Sequence, residues 1–230
     1  MIKVGIIAAM EPELDNLLDG MTLVEDVKVL GIRFYLGKVK DKDVVVSLCG
    51  VGKVNAAMAA TILIDHFECN LIINSGIAGG VSPLKKRDSV LATKLMYHDF
   101  DVSIFGYPFG QVPGFPKEFL VNPTLVMLVK KIFQKLNLEL KCSPIVSGDR
   151  FVNNLDILKG IDYEGGYATE MEGAAIAQVC VKAGVDFIVL RYISDIVGEE
   201  NQEEDYTTFE REMANRSGEV TLLLLENIVE

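Results

Sequence analysis

Two kinds of apolar run alternate along the chain. Short, nearly unbroken runs rich in β-branched residues predict strands covered on both faces. They are Ile2 to Ala9, Leu71 to Asn74, Ser89 to Tyr97, Leu138 to Val146 and Val185 to Ile193. Between them lie segments with helical patterning. Leu14, Leu17, Leu18 and Met21 form an apolar stripe behind Pro12, which sits where a first helical turn tolerates proline. Lys53 to Phe67 predicts a buried, Ala-rich helix, and Asn122 caps a helix that starts at Pro123 and runs to about Leu136. Residues 172 to 183 predict another helix, and a last one is expected from about Tyr206, behind an acidic loop at 198–205. Val27 to Leu30, Ile32 to Val39 and Asp43 to Cys49, separated by Gly31 and Lys40-Asp41-Lys42, predict an antiparallel group. Strand, helix, strand is the rhythm of an α/β fold.

Two interruptions stand out. Ser75-Gly76-Ile77-Ala78-Gly79-Gly80 predicts a glycine-rich turn after a strand, and residues 98–121 form a long segment of glycine, proline and aromatics with Phe100, Phe105, Tyr107, Phe109, Phe115 and Phe119. A loop that long inside a domain usually has a function. No repeat, linker or low-complexity tract appears, and 230 residues suit one domain spanning 1–230.

Composition narrows the partners. A net charge of −11 argues against a nucleic-acid backbone, which demands clustered Lys and Arg, and favours a small neutral or cationic ligand. Mean hydropathy is +0.29, yet no apolar run approaches the roughly 20 residues that cross a bilayer. Residues 1–10 lack a cleavable signal's pattern, so a cytoplasmic protein with no membrane contact is expected. Cys49, Cys69, Cys142 and Cys180 form no C-x-x-C pair and are expected as buried free thiols. His66 and His98 are the only histidines and sit in no metal-ligand pattern, so no metal is expected.

The glycine-rich sites fail the nucleotide templates. Cys49-Gly50-Val51-Gly52-Lys53-Val54 lacks the hydroxyl residue after Lys that a P-loop needs, and Gly76, Gly79 and Gly80 lack dinucleotide spacing. Either turn could still bring backbone amides to a ligand, or be no more than a tight turn. The acids are more informative. Glu170 and Glu172 head a small-residue apolar segment, Asp195 follows the strand that carries Arg191, and Glu13 follows the first strand. Each alone suits a helix start, turn or solvated face; together, at one sheet edge, they suggest a site.

The ordered matches Gly5-Ile6-Ile7-Ala8-Ala9-Met10-Glu11-Pro12-Glu13, Gly50-Val51-Gly52-Lys53-Val54, Asn74-Ser75-Gly76-Ile77-Ala78-Gly79-Gly80, Tyr97-His98-Asp99, Phe105-Gly106-Tyr107, Gly110-Gln111-Val112-Pro113-Gly114, Val146-Ser147-Gly148-Asp149-Arg150-Phe151, Glu170-Met171-Glu172 and Ser194-Asp195 cover essentially the whole chain. Through them the sequence resembles the bacterial 5′-methylthioadenosine/S-adenosylhomocysteine nucleosidases. The resemblance implies a single-domain purine nucleoside phosphorylase-type fold, a mixed twisted central sheet flanked by helices, that works as a homodimer without a cofactor.

It also implies roles. Asp195 would donate a proton toward adenine N7 and bind the N6 amine, while Glu13 would activate the water that attacks C1′. Glu172 would accept the ribose hydroxyls, with Met171 beside it, Arg191 steadying its carboxylate and Glu170 in support. Phe151 would stack on adenine, the Val152 backbone would read the base edge, and Ser194 and Ala78 would lie alongside. Met10, Val51 and Tyr206 would line the 5′-thioalkyl slot. Val102, Phe105, Tyr107 and Pro113, on the 98–121 loop, would close the partner's pocket. Ile77 and Tyr206 depart from the Ser and Phe common among relatives. A phosphate-dependent phosphorylase, a 6-amino-6-deoxyfutalosine nucleosidase and a non-catalytic nucleoside binder are the alternatives.

Overall fold

The glycine-rich stretch after Asn74 does not turn. In the computed structural model, which describes residues 2–161 and 163–228, it continues as strand β5, Leu71–Val81. The expected span 1–230 also includes Met1, Asp162, Val229 and Glu230, which lie outside the described residues.

β5 is the centre of the sheet. Along one edge it pairs in parallel with β10, Asp186–Ile196, from Leu71 to Gly80. Its other edge is shared between two strands. β1, Lys3–Ala8, takes Leu71 to Asn74 in parallel, and β9, Tyr167–Glu170, takes Gly79 to Val81 antiparallel. β1 leads outward through parallel β4, Lys42–Leu48, to the antiparallel hairpin strands β3, Ile32–Val39, and β2, Thr22–Val29. β10 turns back on β6, Ser89–Tyr97, which pairs with β8, Lys141–Ser147, and β8 with β9. β5, β10, β6, β8 and β9 therefore form a closed ring from which the other main strands extend, a mixed sheet as expected.

Helices cover both faces. α2, Lys53–Asp65, and α4, Gly173–Ala183, pack together on one, while α1, Glu11–Asp19, and α5, Gln202–Asn227, pack together on the other. α3, Pro123–Lys135, starts where Asn122 Oδ1 accepts from the Thr124 amide at 3.0 Å, the expected cap. Ile6, Ile7, Ile72, Ile73 and Ile188 are fully buried. At roughly 1.5–3 kcal/mol each, such side chains fix which face each strand presents.

The departures have local causes. Glycine in a strand usually marks a turn, bulge or close approach, and in β5 it is close approach. A Cβ on Gly76 would lie 2.5 Å from Glu13 Oε1 and 2.7 Å from Arg191 Nη1. β10 extends three residues past the expected Ile193, and a register shift between Ile193 and Asp195 lets Asp195 and Ile196 pair with Gly79 and Gly80. β8 starts at Lys141 rather than Leu138, because the Leu138 amide closes the end of α3 on Phe133 O at 2.9 Å. The expected acidic loop ends early. α5 begins at Gln202, with Glu203, Glu204 and Asp205 in its first turn, where they favour the helix dipole. β2 runs from Thr22 rather than Val27, with most of its side chains exposed at the sheet edge. β9 and the two-residue β7, Phe119–Leu120, were too short to predict.

The 98–121 loop divides its aromatics. Phe100 and Phe115 pack on Tyr97 and Phe119 at ring distances of 6.2–6.3 Å, whereas Phe105, on a single 3₁₀ turn ended by Gly106 at φ 83°, is 77% exposed. Three of the four free thiols are buried, but Cys142 is exposed, contrary to expectation, because it lies near the solvent-exposed start of β8.

Gly76→Ala tests the crossing at β5. Its urea midpoint should fall by the equivalent of about 1–3 kcal/mol; an unchanged midpoint would show that the Cβ is accommodated.

Candidate active site

β1 and β9 leave residues 75–78 of β5 without a sheet partner on their shared edge. Glu13 fills this opening. From the third position of α1 its Oε1 accepts from the Ile77 amide at 3.3 Å, and Oε2 accepts from the Ala9 and Met10 amides at 2.8 and 3.2 Å. The carboxyl group thus caps its own helix and completes the sheet edge. It is 3% exposed. Burial raises its pKa, outweighing the Arg191 charge and the three amides, which pull it down.

The second acid cluster starts at the end of β9. Glu170 accepts from the Glu172 and Gly173 amides at 2.8–3.0 Å, so it caps α4, and it also bonds the Ser147 hydroxyl and the Arg191 guanidinium. Arg191 donates to Asn74 Oδ1 at 2.6 Å and lies 3.5 Å from Glu172 Oε2. It therefore pairs with Glu172, as expected, and more closely with Glu170. Burial alone would lower the pKa of Arg191, but Glu170, Glu172 and Glu13 more than offset it, and the pKa is raised.

Glu172, like Glu170, lines the cavity. Its Oε1 accepts from the Gly52 amide at 2.9 Å. Burial and the Glu170 charge push its pKa up to about 7, against the pull of Arg191 and Gly52. The glycine loop therefore offers its Gly52 amide to Glu172. Gly50 and Gly52 adopt φ of 85° and 101° to do so. Lys53, where a P-loop lysine would stand, pairs with Asp99 at 2.6 Å.

Asp195 forms the third corner. Oδ1 accepts from Ser194 Oγ at 2.6 Å and Oδ2 from Gln202 Nε2 at 2.8 Å. It is 1% exposed, and burial raises its pKa even though both of these bonds lower it.

These elements enclose a cavity of about 600 Å³, measured out to its open mouth. Glu13, Glu172 and Asp195 line it, together with Met171, Phe151, Val152, Ser194, Ala78 and Ile77. Met10, Val51 and Tyr206 line it as well, with Tyr206 edge-on to Phe151 at 5.4 Å. Arg191 is not in its wall, and neither are Val102, Phe105, Tyr107 and Pro113 of the long loop. The cavity wall also includes residues that sequence reasoning missed: Ala9, Gly79, Arg150 and Thr169, whose buried hydroxyl has no protein partner. Asn74, Ser147 and Gln202 are further omissions among the supporting residues. Asn74 and Ser147 lay inside matched segments, but Gln202 carried no signal within its acidic stretch. Among the described residues no group of His, Cys, Asp and Glu is arranged to hold a metal, and no helix is long and apolar enough to cross a membrane.

A ring-shaped mixed sheet that gathers buried acids around one largely apolar cavity defines a class, and comparison with known proteins agrees. Residues 3–226 match the phosphorylase superfamily. The 5′-methylthioadenosine/S-adenosylhomocysteine nucleosidase of Desulfotalea psychrophila is 36% identical over 100% of this chain and 99% of that protein. The crystal structure of S-adenosylhomocysteine nucleosidase from Streptococcus pyogenes with 5-methylthiotubericidin superposes with a TM-score of 0.93 at 37% identity, covering 100% of this chain and 98% of that one. Futalosine hydrolase of Helicobacter pylori superposes at 0.92 with 30% identity, covering 99% and 98%. The chain belongs to the phosphorylase superfamily and, within it, to the 5′-methylthioadenosine/S-adenosylhomocysteine nucleosidase family.

The raised pKa of Glu172 carries a stability cost with a definite sign. Its folded value of about 7 exceeds the ordinary 4.5, so stability falls as pH rises from about 4.5 through 7. At ~1.4 kcal/mol per pH unit this is roughly 3 kcal/mol. Glu172→Gln should exceed the wild type in unfolding free energy at pH 8 by up to that amount and lose the advantage near pH 4.5. A difference independent of pH would contradict the assignment.

Proposed function

We propose that the chain hydrolyses the N-glycosidic bond of 5′-methylthioadenosine and S-adenosylhomocysteine, releasing adenine with 5-methylthioribose or S-ribosylhomocysteine. One observation carries this reading: Glu13, Glu172 and Asp195, all with raised pKa, face one cavity whose remaining wall is largely apolar. Adenine is a poor leaving group, so its departure needs a proton on the base and negative charge near the sugar. Asp195, whose burial favours the protonated form, donates toward N7. Glu13, a stronger base than an exposed carboxylate, orients and deprotonates the water that attacks C1′, and its charge favours an oxocarbenium-like transition state. Glu172 receives the ribose hydroxyls beside Met171.

The rest of the assignment follows the cavity. Phe151 stacks on the base, the Val152 backbone meets its edge, and Ser194, Ala78 and Ile77 lie beside it. Met10, Val51 and Tyr206 accept the 5′-thioalkyl group. Arg191 acts from beneath, through Glu170 and Glu172. The chain works as one domain, in the cytoplasm, in methionine salvage, without a cofactor. It forms a homodimer in which Val102, Phe105, Tyr107 and Pro113 complete the neighbouring site; the outward Phe105 and Ile104, 77% and 87% exposed, support this.

The likeness to futalosine hydrolase supports a second reading, in which 6-amino-6-deoxyfutalosine shares the adenine and ribose contacts and differs only at the 5′ group.

In phosphate-free buffer, purified protein should release adenine from 5′-methylthioadenosine. Release only after phosphate is added would establish a phosphorylase, and tight binding without turnover a nucleoside binder. Glu13→Gln and Asp195→Asn should each lower kcat by about 10²–10⁴-fold with the fold retained; near-normal kcat would remove that residue from the chemistry. Subunit exchange tests the loop. A Glu13→Gln chain mixed with a Phe105→Ala/Tyr107→Ala chain should regain activity that neither has alone, whereas no regain would show that each chain completes its own site.

A further inference from the structure

Gln202, the first residue of α5, is 4% exposed, and every polar atom of its side chain is engaged. Nε2 donates to Val152 O and to Asp195 Oδ2, both at 2.8 Å, while Oε1 accepts from the Gly198 amide at 2.9 Å. One NH2 group thus bridges a backbone carbonyl and a carboxylate oxygen, both of which belong to residues lining the cavity. This is the donor set of an exocyclic amine on an aromatic base: two N–H bonds, in one plane, from one nitrogen. A base amine placed there would have to approach the same two buried oxygens that Gln202 now holds.

We propose that Gln202 is a positioning residue that occupies the acceptor pair of Val152 O and Asp195 Oδ2 in the free protein and yields it to the amine of the incoming base. The inference rests on adenine being the base, as proposed above.

Exchange rather than simple opening has a physical reason. A buried carbonyl and a buried carboxylate without donors would each carry a desolvation cost. Gln202 meets that cost while the cavity is empty, and the base amine meets it when the cavity is full. The donor to Asp195 Oδ2 also favours the ionised carboxylate. Gln202 and Tyr206 are one helical turn apart in α5, and Tyr206 lines the cavity beside Phe151. Displacing Gln202 therefore acts on the same turn of helix that carries part of the apolar slot.

Gln202→Met keeps the length of the side chain and removes the donor. Calorimetric titration with adenine should show binding at least about fivefold tighter than wild type, because the base no longer displaces a satisfied bond. The alkaline limb of the kcat/KM pH profile should move to higher pH, since the donor that favours ionised Asp195 is gone. Equal or weaker adenine binding in a folded variant overturns the exchange. The wild type supplies an independent readout that needs no substitution: in its crystal structure with adenine, Gln202 Nε2 should stand out of hydrogen-bond reach of both Val152 O and Asp195 Oδ2. Adenine bound with Gln202 still on both acceptors overturns the proposal. A wild type that neither binds adenine nor releases it in the hydrolysis assay overturns the adenine reading and this inference together.

Discussion

The buried guanidinium of Arg191 is the interaction on which the site depends. Glu170 pairs with it directly, Glu172 lies 3.5 Å away, and its charge pulls down the pKa of Glu13. Taking one carboxylate out of water costs several kcal/mol, and three near one another cost more through mutual repulsion. A single positive charge beneath them makes the cluster tolerable without neutralising it. Burial, only partly offset by that charge, keeps the pKa values of Glu13 and Glu172 raised, and the Glu170 charge adds to the shift at Glu172. The proposed reaction needs that intermediate condition: acids dry enough to hold or take a proton, yet supported enough for the fold to survive.

The sheet creates the place for this cluster. β1 and β9 each cover only part of one edge of β5, and the gap between them exposes the Ile77 amide to Glu13. Gly76 lets Glu13 and Arg191 each approach bare backbone, and the register shift in β10 places Asp195 opposite Gly79. The same glycines that relieve close packing thus bring acids from α1, β10 and the start of α4 to one cavity. Glu170 ties the arrangement together, because one carboxylate caps α4, bonds Ser147 and pairs with Arg191.

Much of this was legible in the sequence. The apolar runs placed the long strands and helices, since burial on both faces leaves a clear pattern. The meeting of Glu13, Glu172 and Asp195 at one cavity could be anticipated from the matched segments around them. What could not be read was mostly a matter of contacts made across the fold. Ser75 to Gly80 carries the composition of a turn, and only the arrival of Glu13 and Arg191 from distant segments explains why it is a strand. The acids at 203–205 look like a solvated loop unless the helix behind them is known to begin at Gln202. Arg191 pairs with Glu172 as expected, whereas its closer pairing with Glu170 depends on where β10 places it. Gln202 itself carries no motif; its importance comes entirely from meeting Val152 and Asp195 in space.

The most direct test of the central role of Arg191 is the unfolding free energy of Arg191→Met measured against pH. With the charge removed, the neighbouring acids are left uncompensated when ionised, and the expected loss is about 3–5 kcal/mol at pH 8. Near pH 5 Glu172, with a pKa of about 7, is protonated, so part of that loss should be recovered relative to wild type. An equal loss at both pH values would show that Arg191 contributes packing alone, and would contradict the account of a guanidinium that holds the acids of the site in place.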